Sequence, residues 1–69
     1  MHPATEALLR FFDYGHLPPH LQEISTPFHQ LAHDMANQLG GTPHGAELTT
    51  GLRKLLEAKD CMVRAALEG

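Results

Sequence analysis

The chain has 69 residues, with five Lys or Arg, eight Asp or Glu, one cysteine and a formal charge of −3. That length allows one domain over residues 1–69, and a chain of this size buries only ~60% of its unfolded surface, so its core is marginal. The single Cys61 excludes an intrachain disulfide, no apolar run approaches the ~20 residues of a membrane span, and too few cations are present for the basic stripe that polymeric nucleic acid requires.

Thr5 to Phe12 is expected to form a short helix, in which Ala4, Ala7, Leu8, Phe11 and Phe12 offer apolar contacts and Pro3 suits the first turn. Asp13-Tyr14-Gly15-His16 breaks it. The chain restarts from Leu17 with Pro18 and Pro19, which are tolerable only at a helix start because neither donates a backbone hydrogen bond. Leu21, Ile24, Phe28, Leu31, Ala32, Met35 and Leu39 then recur at three- and four-residue spacing, a helical period that runs through Pro27. Pro27 is expected to kink that helix or split it in two, with Ser25 or Thr26 as the new N-cap.

Gly40-Gly41-Thr42-Pro43-His44-Gly45 has the composition of a tight connection, with glycine for a left-handed helix end and a proline that cannot extend the helix. From Ala46 or Glu47 the chain reads as helical almost to its end, and Glu47 in the first turn favours the helix dipole. No strand-like alternation appears. The expected fold is all-α, a short N-terminal helix followed by a long antiparallel helical hairpin.

On a helical net of about 100° per residue, Leu48, Leu52, Leu55, Leu56, Met62, Val63, Ala66 and Leu67 fall on one broad apolar face, with Ala58, Cys61 and Ala65 as a small-residue strip beside it. One partner helix does not bury that width, so copies of the chain are expected to complete it as a homo-oligomer. Lys59 points out of the middle of the face. An unpaired ammonium there is costly unless it reaches water, an acid or an anionic ligand. Four of the five basic residues lie between Arg53 and Arg64, and oligomer symmetry would repeat them around a small phosphorylated ligand.

His29 and His33 are four apart, as are His16 and His20, and two imidazoles at that spacing can share a metal. No Glu follows His29 directly and no third ligand is implied, so the histidines read first as exposed or capping groups with no metal or cofactor expected, and a zinc site on one of the pairs is the third, lesser alternative. Arg53 with Glu57 and Asp60 with Arg64 are natural i, i+4 ion pairs on a solvated face. The alternative is that Arg64 leaves Asp60 to grip a phosphate. Tyr14, the only tyrosine, either packs over the helix ends with its hydroxyl bonded or projects to stack on a base. Phe11, Phe12 and Phe28 read as core or interface anchors, and Cys61 as a small packing residue. There is no nucleophile with a base in reach and no phosphate-cradling glycine loop, so the chain reads as a binder and not an enzyme.

The run Tyr14-x-x-Leu17, the following Phe28-His29, and the closing Lys54-Leu55-Leu56-Glu57-Ala58 with Val63-Arg64-Ala65 resemble the helical-hairpin domain of small phage anti-defence sponges. Those proteins sequester cyclic nucleotide messengers of bacterial CBASS and Thoeris immunity. The resemblance covers about Asp13 to Leu67 and implies a homohexamer whose interfaces bind cyclic dinucleotides, and in many members cyclic trinucleotides, without hydrolysis. It implies that Tyr14 stacks on a base, that His29 stands where the family has a phosphate-contacting lysine, and that Arg64 matches a basic position near the end of the long helix. Histidine carries full charge toward phosphate only when protonated. Cys61 stands where the family has tryptophan, and Lys59 and Asp60 replace apolar positions.

The expected function is therefore sequestration of cyclic oligonucleotides in the cytosol of an infected bacterium, with Tyr14, His29, Arg53, Lys59 and Arg64 as ligand-binding residues. The rival from another class is a small helical adaptor or antirepressor that docks on a host protein and leaves Lys59 as a snorkelling surface lysine.

Overall fold

The computed structural model describes residues 2–68. Three helices follow one another, α1 (Pro3–Arg10), α2 (Pro19–Leu39) and α3 (Gly45–Glu68). No strand occurs among the described residues, so the chain is all-α. No described helix is long and apolar enough to cross a membrane.

Helix α1 starts two residues before the expected Thr5, because Pro3 fills the first turn and the His2 Nδ1 accepts the Ala4 N–H at 3.0 Å. It ends at Arg10 instead of Phe12. The Phe11 and Phe12 amides donate to the Leu8 and Leu9 carbonyls at 3.1 Å, and Asp13 N–H donates to Arg10 at 3.2 Å. These i to i+3 bonds tighten the last turn and satisfy three carbonyls that a helix end otherwise leaves open.

Helix α2 begins at Pro19 after Pro18, where the missing amides cost nothing, and it runs unbroken through Pro27. The expected split does not occur, and neither Ser25 nor Thr26 is an N-cap. Thr26 Oγ1 instead donates back to the Gln22 carbonyl at 2.6 Å. Pro27 and Glu23 both lie on the exposed face, so the carbonyl that Pro27 leaves without a donor is open to water while the opposite face holds the helix in place.

The glycine-rich connection also departs from expectation. Gly40 is right-handed, with φ −63° and ψ −23°, and no described glycine has a positive φ. Thr42 does the capping. Its amide and Oγ1 donate to the Leu39 carbonyl at 3.1 and 2.8 Å, and its Oγ1 accepts the His44 N–H at 3.3 Å. A side-chain hydroxyl thus closes α2 without a left-handed residue.

The core joins Leu8, Leu9 and Phe12 to Ala32 and Ala36 of α2 and Leu48 and Leu52 of α3, with Phe28, Leu55 and Leu56 packed against it. Ala32 and Ala36 are 0% and 1% exposed, and their small size lets the other helices approach. Eight residues make α1 about 12 Å long, enough to cover only part of the longer helices. Beyond its reach Met62 and Leu67 stay 53% and 63% exposed, and Phe11 61%. The accessible surface of 4654 Å² exceeds the ~4,300 Å² expected of a compact 7.6 kDa chain, consistent with its 41 × 18 × 16 Å elongation.

Ser25 is fully buried and its Oγ has no hydrogen-bond partner among the described residues. Removing an orphaned hydroxyl removes its desolvation cost, so Ser25→Ala is expected to leave stability unchanged or raise it by about 1 kcal/mol in urea denaturation. A loss of that size would show that the hydroxyl is satisfied in solution.

Candidate functional site

The break between α1 and α2 is held by two side chains that address consecutive carbonyls. Lys59 Nζ, from α3, donates to the Phe11 carbonyl at 2.6 Å, and His29 Nδ1, from α2, lies 3.2 Å from the Phe12 carbonyl. A carbonyl only accepts, so in this bond Nδ1 carries a proton, and in the neutral ring Nε2 is the nitrogen left to accept. The ring between these bonds, Phe12, is 0% exposed. The Lys59 ammonium also sits 5.9 Å from its centroid and 3.4 Å from Asp60 Oδ1. A cation at the end of α1 is further favoured by the helix dipole.

This arrangement answers the demand made by a lysine on an apolar face. Lys59 has its partners within the chain, and its side chain is 12% exposed. Asp60 is engaged by Lys59, and no ion pair joins Asp60 to Arg64 or Arg53 to Glu57 among the described residues. The expected i, i+4 pairs are thus not formed. Arg64 Nη2 turns instead to the exposed Cys61 Sγ at 3.4 Å, and Cys61 is not packed inside the chain's own core.

Beside the pinned end of α1, Asp13, Tyr14, Gly15, His16 and His29 line an open recess of about 460 Å³, within the about 300–1,000 Å³ of small-ligand sites. Tyr14 is half-buried, and its ring meets His29 edge-on at 5.0 Å and 88°. His29 in turn lies 4.3 Å from the His33 ring and 3.9 Å from Asp13 Oδ1. The structure therefore brings Tyr14 and His29 together, a contact the sequence reading did not specify. Arg53 and Arg64 do not line the recess. Both are exposed on α3, eleven residues and about 16 Å apart.

One residue of the cluster, Asp13, escapes the sequence reading. Asp13 and His33 lie with His29 so that one ligand atom from each is within 4.8 Å of the others. The His29–His33 spacing is legible in the sequence. The approach of Asp13 depends on how α1 ends, and no local pattern announces it.

Recess and core are coupled through Lys59, so Lys59→Met, which keeps the stem and deletes the ammonium, is expected to lower stability by about 1–2 kcal/mol in urea denaturation. Amide exchange should accelerate in α1 more than in α2, and unchanged exchange would show that the ammonium does not hold the helix. No family model, curated protein or solved structure matches this chain.

Proposed function

We propose that the chain is a non-enzymatic sponge that binds and sequesters cyclic oligonucleotide second messengers, cyclic dinucleotides or trinucleotides, in the cytosol of a phage-infected bacterium. The observation that carries this reading is the pairing of Tyr14 and His29 around one recess. A phenol ring braced edge-on has a face left for a base, and an imidazole beside it can meet phosphate. No residue of the recess is a nucleophile backed by a base, which suits binding without cleavage.

The working unit in this reading is a homohexamer in which α2 and α3 form an antiparallel hairpin. Leu31, Met35 and Leu39 of α2 and Leu48, Leu52 and Leu55 of α3 line an apolar groove, and Met62 and Leu67 extend bare surface along α3. Full burial of an exposed side chain of this size is worth about 1.5–3 kcal/mol, and Leu31, Leu39, Met62 and Leu67 are 42–63% exposed, so copies that cover these faces stabilise one another. Exposed Arg53 and Arg64 then reach the recess of a neighbouring copy and neutralise further phosphates. Lys59, engaged with Phe11 and Asp60 in the single chain, joins them where a ligand oxygen replaces Asp60.

The apolar groove also favours a second reading, a helical adaptor or antirepressor that receives an amphipathic helix from a host protein. Sedimentation separates the two. A hexamer of about 46 kDa, six chains of 7.6 kDa each, is expected for the sponge, and a monomer for the adaptor. Calorimetric titration with cyclic di- and trinucleotides should give saturable heat that Tyr14→Ala weakens by about 1–3 kcal/mol. Absence of heat and of any thermal shift with every cyclic nucleotide would reject the sponge.

A further inference from the structure

We propose that Asp13, His29 and His33 form a binding site for a divalent transition metal, with Zn²⁺ the best match to the donors. This goes beyond the nucleotide reading and does not depend on it. Two imidazoles and one carboxylate are a donor set that suits zinc, with a fourth position left for water or an anionic oxygen.

Three observations support the site independently. One ligand atom from each residue lies within 4.8 Å of the other two. Tetrahedral zinc with bonds of about 2.0–2.1 Å sets its ligands about 3.4 Å apart, so a closure of about 1–1.5 Å is needed. Asp13 can make that movement because its side chain is 64% exposed. The second observation is the His29 Nδ1 bond to the Phe12 carbonyl at 3.2 Å. Backbone carbonyls hold metal-ligating histidines in this way, fixing the tautomer and leaving the other nitrogen to coordinate. The Tyr14 ring, edge-on at 5.0 Å, fixes the plane of the same imidazole.

The third observation is an unexplained nitrogen. His33 Nε2 is buried and has no hydrogen-bond partner among the described residues, in a ring that lies 4.3 Å from His29 at a 41° tilt. Leaving a buried polar atom unmatched carries a desolvation cost, and native folds match nearly all of them. A metal ion bound to that nitrogen removes the cost. It also brings two positive charges against one carboxylate, giving a net cationic recess where the side chains alone supply no permanent cation.

The test uses the full chain, produced without a polyhistidine tag and stripped with EDTA, titrated with ZnCl₂ by calorimetry and with CoCl₂ by visible absorption. One metal per chain and the intense ligand-field band of four-coordinate cobalt are expected. Asp13→Asn and His33→Gln should each weaken zinc binding by more than the about 10–100-fold that loss of a mere outer-shell partner costs, whereas His44→Gln should leave it unchanged. Circular dichroism checks the fold of each variant. If His33→Gln does not fold, the exposed Asp13→Asn carries the comparison. Absence of stoichiometric uptake, uptake that survives the substitutions at Asp13 and His33, or an equal loss in His44→Gln would each overturn the site.

Discussion

The arrangement of this chain depends on how an eight-residue helix ends. A helix that short is marginal in isolation, and the two carbonyls just past its end, those of Phe11 and Phe12, are met by side chains of the long helices. Here one donor comes from each long helix, Lys59 of α3 on Phe11 and His29 of α2 on Phe12. Those two bonds, with Phe12 sealed between them at 0% exposure, fix where the chain leaves the core. Everything in the recess follows from that exit, because Asp13, Tyr14, Gly15 and His16 are the next four residues.

The same economy of length explains why structure and binding surface are hard to separate. Lys59 is both a helix-end donor and a cation beside a bare apolar stretch. His29 is a carbonyl donor, a wall of the recess and a neighbour of His33 and Asp13. In a larger domain such roles fall to different residues. In a chain whose surface exceeds that of a compact protein of its mass, Lys59 and His29 serve the fold before they serve a ligand. The proposed assembly into copies would relieve this constraint, since the faces beyond α1 would then need no further helix from the chain itself.

Much of the fold was legible because helical periodicity is a long-range signal. The Leu21 to Leu39 pattern and the Leu48 to Leu67 pattern each sum over many turns, and both mark real helices. What failed were local rules that tertiary packing overrides. Pro27 falls on a solvated face, where its lost hydrogen bond is cheap, so α2 is continuous. Thr42 closes the end of α2 with its hydroxyl, so Gly40 stays right-handed. In the site, the His29–His33 pair was legible from its i, i+4 spacing and Tyr14 and His29 only as single candidates, whereas Asp13 was not, because its contact with the histidines is made by the path of the chain and not by spacing. The Asp60–Arg64 pair read from i, i+4 spacing gave way to competition, as Lys59 captured Asp60.

Cys61 has a practical consequence. It is the chain's single sulfhydryl, it is exposed, and it stands on the stretch of α3 that α1 does not cover, next to Met62 at 53% exposure. A fluorophore attached there labels every molecule once, at a place remote in sequence from Tyr14 and His29. Its emission would change when neighbouring molecules close over that stretch, giving a real-time optical record of association that leaves the recess chemically intact.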